Sequence, residues 1–277
     1  MNSSMMKALN SMNSYQLKMD LISNNVANMN TVGYKSKSAV FEDLLTTMEQ
    51  QPEGFSRDGR LTPLGFNQGW GSKVTGIATD FTQGPLKETG VLTDLAIEGN
   101  ALFEVTVDDA GTLAYTKDGS FQISINGNRE AVLTTNQGYP VQATLPDGSQ
   151  GSIIIPDGFA LKIEADGNVY GVNERGAQVS LGRINLVNPV RPDALVQVAD
   201  NLFSVATGAN ANEVVNRIIP DSQNRIAIRQ GFLEQSNVDY TKEMTDLMKV
   251  QRAYQLAARA LSSSDTLMQL ANNLRNN

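Results

Sequence analysis

The sequence predicts an α+β fold. Long N- and C-terminal helices pair as a coiled-coil-like inner domain, and the centre is an all-β domain of sandwich or barrel-like type. Three observations predict it. All 23 glycines lie between Gly33 and Gly231, and all 9 prolines lie between Pro52 and Pro220. Glycine and proline punctuate turns and loops, so their absence marks two long helical ends. Both ends carry apolar residues at heptad spacing, and the middle carries short apolar runs between Asp-Gly and Asn-Gly dipeptides.

Residues 1–33 form the expected N-terminal helix. Met5, Met12, Met19 and Val26 are spaced by seven, and Ala8, Tyr15, Ile22 and Met29 form a second row offset by three. Two such rows make an a/d seam. The helix then runs into Ser23-Asn24-Asn25-Val26-Ala27-Asn28-Met29-Asn30. Asparagine favours caps and turns because its amide competes for backbone hydrogen bonds. Gly33 is expected to end the helix as a C′ residue. Residues 34–74 read as a linker, and 46–72 hold Gly, Pro, Gln and Ser with little periodicity.

Residues 75–230 form the expected β domain. Strand candidates are 102–107, 121–125, 152–155, 161–164, 168–172 and 184–187. Asp118-Gly119, Asn126-Gly127, Asp147-Gly148, Asp157-Gly158 and Asp166-Gly167 separate several of them. Such pairs tolerate positive φ and favour tight hairpins. Residues 231–277 form the C-terminal helix. Its rows are Leu247, Tyr254, Leu261, Met268 and Val250, Ala257, Ser264, Ala271, widened by Leu267 and Leu274. Ser236 with Asp239 resembles a capping box. Arg275 lies near the C-terminus, where the helix dipole favours a cation.

Composition excludes several functions. The net charge is -7 with no run of Lys and Arg, which disfavours nucleic acid and anionic membrane as partners. No cysteine and no histidine are present. That removes disulfides, thiolate nucleophiles, His-based triads and nearly all zinc sites. No apolar run approaches the ~18 residues of a membrane span, so no membrane insertion is expected. The N-terminus lacks the pattern of a cleaved signal peptide.

The motifs that could carry chemistry fail on inspection. No Asp-Gly turn extends into a calcium loop. Gly69-Trp70-Gly71 begins a G-x-G, but Val74 stands where the third glycine belongs. Ser4-Met5-Met6-Lys7 matches S-x-x-K without a K-T-G. No catalytic, cofactor or metal residues are assigned, and the chain reads as a non-enzyme. Two alternatives stay open at this level: a carboxylate-based cell-wall hydrolase, and a soluble binder with a helical stalk.

Three ordered blocks give the chain a family likeness. The first is Ser23-Asn24-Asn25-Val26-Ala27-Asn28 through Gly33-Tyr34-Lys35, then Phe41-Glu42-Asp43-Leu44-Leu45. The second runs from Val74-Thr75-Gly76 through Asp80-Phe81-Thr82-Gln83-Gly84-Pro85-Leu86 to Asp94-Leu95-Ala96-Ile97-Glu98-Gly99 and Tyr115-Thr116-Lys117-Asp118-Gly119-Ser120-Phe121. The third is Gly231-Phe232-Leu233-Glu234-Gln235-Ser236-Asn237-Val238-Asp239, continuing to Gln251-Arg252-Ala253-Tyr254-Gln255. Together they resemble the bacterial flagellar basal-body rod proteins, within the axial rod and hook family. The insertion at 46–72 is similar to the distal rod type more than to proximal or hook-type members. Asn100-Ala101-Leu102-Phe103 departs from the family, which usually has a small or acidic residue, glycine and two aromatics there.

The resemblance implies a structural subunit without cofactors, located in the flagellar basal body. It implies a homo-oligomer in a helical assembly, with neighbouring rod and hook proteins as partners. That assembly is a hollow driveshaft carrying motor torque to the hook, its subunits leaving by type III export. The seam residues Met5, Met12, Tyr15, Met19, Ile22, Val26, Met29, Leu247, Val250, Tyr254, Leu261 and Met268 would then mediate assembly. The signature residues Asn24, Asn25, Asn28, Gly33 and Tyr34 would fix register, the amides bridging subunits. Phe41 and Leu45 resemble the family's docking signal for the flagellar export gate.

Overall fold

The structure is a computed structural model that describes residues 2–43, 47–49, 66–68, 72–108, 111–127, 129–199, 201–206, 208–220 and 225–276. It divides into two compact units. Unit 1 comprises residues 1–26, 37–78 and 239–277, and unit 2 comprises 27–36 and 79–238.

Unit 1 holds the long helices α1 (Asn2–Ala27) and the distal helix spanning Tyr240–Asn276. A short helix, α2 (Ala211–Val214), lies in unit 2, so the distal one is α3. In unit 1, Lys37–Asp43 pairs with Ser72–Thr79, and Thr47–Glu49 pairs with Phe66–Gln68 in antiparallel register. Asp239 caps α3: its carboxylate accepts from the Thr241 and Lys242 amides at 2.9 and 3.2 Å. That satisfies two of the amides a helix start leaves orphaned. Ser236, expected as the cap, instead accepts from the Val238 amide at 3.3 Å.

The expected α+β class with paired helices is corrected here. The chain is mostly β, with three α-helices against twenty-two strands among the described residues. It has one long helix at each end and no long coiled-coil pair. A coiled coil buries both seam rows as knobs in holes. Here Met5, Met12, Tyr15, Met19 and Val26 are only half-covered, as are Leu247, Tyr254, Leu261 and Met268. Burial on α1 runs through Ala8 and Ile22 of the second row together with Ser14 and Asn25, a line rotated away from the methionines. On α3 only Val250 is buried among the described side chains. Heptad spacing supplied rows, but of the expected seam residues only Ala8, Ile22 and Val250 are buried among the described side chains.

Unit 2 is built from antiparallel sheets, as expected of a β-rich centre. The largest has six strands in the order Leu195–Ala199, Leu202–Val205, Leu113–Thr116, Leu102–Thr106, Leu186–Pro189, Val215–Ile218. Leu102–Thr106 is buried on both faces, with Glu104 its one charged residue. Phe103 and Val105 enter the main core with Leu95, Leu133, Val141 and Ile184, while Leu102 joins Tyr115, Val187 and Phe203 in a second cluster. Successive strand residues point to opposite faces, so a doubly covered strand reads as a continuous apolar run.

A five-stranded sheet is ordered Gln150–Ser152, Gln142–Thr144, Gln178–Ile184, Asn168–Asn173, Phe159–Ile163. The candidate strand 184–187 is broken at Asn185, where the chain leaves this sheet for the six-stranded one. Asn185 is buried at the corner and fully used. Its amide donates to Glu104 at 3.2 Å, its Oδ1 accepts from Thr144 Oγ1 at 2.8 Å, and its backbone N–H donates to Gln142 O at 3.0 Å. Glu104, also buried, is paired with Arg217 at 2.8 Å.

Three of the five expected turns close hairpins: those at Asn126-Gly127, Asp147-Gly148 and Asp166-Gly167. Asp118-Gly119 does not, because it joins strands of different sheets. There a Cβ on Gly119 would stand 1.6 Å from Leu95 O, so close backbone approach is what requires the glycine.

Candidate functional site

Segments of all three signature blocks, around Gly33–Lys35, Asp80–Leu86 with Lys117, and Phe232–Asn237, meet inside unit 2. Phe232–Glu234 pairs antiparallel with Leu86–Glu88, which delivers Glu234 to the centre of the junction. Its side chain is 1% exposed. Oε1 receives the Lys35 ammonium at 2.7 Å and the Gly84 amide at 2.9 Å. Oε2 faces the Lys117 ammonium at 3.4 Å, an ion pair too long for a good hydrogen bond. Lys35 also donates to Thr82 O at 2.7 Å, and Lys117 to Gly99 O and Ala101 O at 2.8 and 2.9 Å. Every buried ammonium is thus surrounded by oxygen, as burial of charge demands. The departure at Asn100-Ala101 sits here and supplies one of those oxygens.

The backbone around the junction is fitted to it. Gly33 has φ +68 and donates its N–H to Glu234 O at 2.8 Å. A Cβ there would meet Asp118 N at 2.6 Å. Gly33 is therefore not a helix C′ residue: α1 ends at Ala27, and Gly33 is needed where three strands of chain converge. Asn237 completes the stitching. Its Oδ1 accepts from the Ser36 amide at 2.8 Å, and its Nδ2 donates to Asp80 O at 2.9 Å and Thr82 O at 3.2 Å. Asn201 Nδ2 donates to Val32 O at 2.6 Å. Tyr34 is buried beside this network.

The signature asparagines have separate places. Asn25, in unit 1, is 2% exposed and clasps Lys37: its Oδ1 accepts from Lys37 N and its Nδ2 donates to Lys37 O, both at 2.9 Å. The same Nδ2 reaches Glu243 at 3.1 Å. An amide offers one donor and one acceptor side by side, the same pair a neighbouring strand would present. Burial raises the Glu243 carboxyl above its ordinary value, with the Asn25 bond pulling it back. Asn28 accepts from Thr31 Oγ1 at 3.2 Å within a turn. Asn24 is exposed on α1. Met29 lies beyond the end of α1. Phe41 is 37% exposed in Lys37–Asp43, with the Lys18 ammonium 5.5 Å from its ring centre. Leu45 lies outside the described residues, as does Gly69-Trp70-Gly71.

Sequence reasoning missed Lys35, Lys117, Glu234 and Asn237 as a group. The only available signal was that each falls inside a family block.

The charged groups are buried against one another within their own chain and tie together segments as far as 199 residues apart. Three family models match: "Flagella basal body rod protein" over residues 7–35, "Flagellar hook protein FlgE/F/G D1 domain" over 96–171, and "Flagellar basal body rod FlgEFG protein C-terminal" over 229–274. The flagellar basal-body rod protein FlgG of Borreliella burgdorferi is 36% identical over 98% of this chain and 99% of its own length. FlgG of Bacillus subtilis is 33% identical over 98% of each, and the rod protein FlgF of Caulobacter vibrioides is 35% identical over 92% of this chain and 90% of its own. The chain belongs to the flagellar basal-body rod proteins, of the distal rod type. It is a structural subunit of the basal body and not an enzyme.

Glu234→Gln keeps the shape of the junction but leaves two lysines buried against a neutral amide. Breaking one partner of a buried ion pair costs about 3–5 kcal/mol. Denaturant unfolding of the variant should show a loss of that size, and a loss below about 1 kcal/mol would contradict the assignment.

Lys117 also fixes a pH dependence. Burial pushes its ammonium down to about 8, against the attraction of Glu234 and with a further push from Lys35. The unfolded chain keeps that proton up to its ordinary value of 10.5. Between these values the unfolded state binds more protons, so this group makes stability rise with pH. Wild type should gain on Lys117→Met by at most roughly 3 kcal/mol across that window. A stability difference that stays flat with pH would show that Lys117 is not desolvated.

Proposed function

We propose that copies of this chain self-assemble, with neighbouring rod and hook proteins, into a helical driveshaft that carries motor torque to the hook. The observation that carries this reading is the uncovered apolar surface of the terminal helices. Leu247, Tyr254, Leu261 and Met268 stay partly exposed in the single chain, and Leu256, Leu267, Leu270 and Leu274 are more than half exposed. Contiguous apolar surface of this kind marks a protein–protein contact. The residues 1–33 and 231–277 then form the tube, 75–230 the outer body, and 34–74 the connection. Asn25 serves its own chain in this reading, since its clasp on Lys37 is internal.

Leu261→Asp places a carboxylate in the half-covered row, where burial without a partner is costly. Motility and self-association should both be lost, while the sheet signal and thermal stability of residues 79–238 stay as in wild type. Loss of the sheet signal along with association would contradict the division of labour.

Export through the flagellar gate is proposed to use Phe41 and Leu45. Support comes from the exposure of Phe41, which leaves an aromatic anchor open to a receptor groove. Phe41→Ala should accumulate in the cytoplasm at normal levels. Its secretion into the medium with no rod built would mean that Phe41 serves packing and not docking.

A further inference from the structure

The hairpin joining Phe121–Ile125 to Ala131–Thr135 turns through Asn126-Gly127, the only Asn-Gly pair in the sequence. The backbone does not require that glycine. Among the described residues of this loop, positive φ falls on Arg129, at 65°, and not on Gly127. A Cβ on Gly127 would meet nothing within 4 Å. What the glycine alone leaves is a backbone nitrogen unshielded by any side chain, next to the Asn126 carboxamide.

That nitrogen and that carboxamide are the two partners of a five-membered ring closure. Gly127 N attacks Asn126 Cγ, and the new C–N bond closes a succinimide. Nδ2 leaves as ammonia, taking the proton that Gly127 N gives up. Water then opens the ring at either carbonyl and leaves aspartate or isoaspartate. The step is intramolecular, so its rate depends on how freely Cγ reaches the nitrogen.

The fold restrains that reach. Glu130 holds both ends of the carboxamide: its backbone N–H donates to Asn126 Oδ1 at 2.9 Å, and its Oε2 accepts from Asn126 Nδ2 at 2.9 Å. The backbone is tied as well. Asn126 N–H donates to Glu130 O at 2.9 Å, and Arg129 N–H donates to Asn126 O at 3.0 Å. The leaving nitrogen is thus bound to a carboxylate, and the electrophilic carbon is held across the loop.

We propose that Asn126 is a site of self-modification by deamidation, and that the Glu130 clamp sets its rate. The change reaches the sheet. A carboxylate formed at position 126 faces that of Glu130, and like charges facing each other destabilise a strand pair. Isoaspartate also routes the backbone through the former side chain, which displaces the acceptor of the Arg129 amide. Both products loosen the tip of this hairpin.

The full chain is incubated at neutral pH and physiological temperature, and peptide mapping with electron-transfer fragmentation follows every asparagine. Asn126 should convert first, to both aspartate and isoaspartate, and more slowly in the native chain than in urea. Glu130→Ala removes the charge-assisted bond and should raise the native rate by about tenfold, the worth of one such bond. Glu130→Gln keeps a neutral acceptor and should fall between the two; it carries the comparison if Glu130→Ala loses its sheet signal. Gly127→Ala, for which the loop has room, should keep the sheet signal and suppress conversion. Earlier conversion of another asparagine, conversion to aspartate alone, or an unchanged rate in Gly127→Ala would overturn the site. A native rate equal to that in urea, or a Glu130→Gln rate equal to wild type, would overturn the clamp.

Discussion

A buried carboxylate must be paired, and that requirement organises unit 2. Glu234 lies 199 residues from Lys35 and is 1% exposed. Leaving any one of the three charges alone in the interior would cost several kcal/mol. The junction therefore forms only when the segments around Gly33, Gly84, Lys117 and Glu234 arrive together. Much of the local backbone follows from it. Gly33 takes a left-handed conformation against Asp118, and Gly84 lies so close to Gln235 O that a Cβ would stand 2.2 Å away. Burial is the main reason Lys117 holds its proton weakly; Glu234 opposes that effect, and the second lysine, Lys35, adds a smaller push in the same direction.

Amides finish what the charges begin. The side chains of Asn25, Asn201 and Asn237 each bond to peptide groups, and that of Asn185 joins Glu104 to Thr144. A side-chain amide carries the donor and acceptor of a peptide bond on a short tether. It can satisfy backbone at a corner without bringing a charge that needs its own partner. Asn25 does so where Lys37–Asp43 begins, while Asn185, where the chain changes sheets, uses its amide on the Glu104 and Thr144 side chains. Each such joint ties one segment of the chain to a second.

Part of this was legible in the sequence. Gly148 and Gly167 take the positive φ that their Asp-Gly pairs suggest, so those two hairpins could be read directly; Asn126-Gly127 also marks a hairpin, but there the positive φ falls on Arg129. Glycine and proline placement gave the two helices. The heptad rows of α1 and α3 were visible as rows, but spacing does not say which row is covered, and the pairing inferred from it was wrong. The break at Asn185 was hidden because Ile184 and Leu186 belong to one apolar run that serves two sheets. The cap moved from Ser236 to Asp239 because both residues suit the role and only geometry chooses. Lys35, Lys117 and Glu234 look like solvated charges in any local window. Their partnership exists only across sequence separations that no periodicity encodes.

Native-state hydrogen exchange on the intact chain tests the central role of Glu234 most directly. The Gly33 and Gly84 amides donate to Glu234, and the Leu95 amide donates to Gly119 O at 3.0 Å in the core. If the junction locks distant segments into one cooperative unit, all three amides exchange with the free energy of global unfolding. Exchange of Gly33 and Gly84 through local opening, orders of magnitude faster than Leu95, would contradict it.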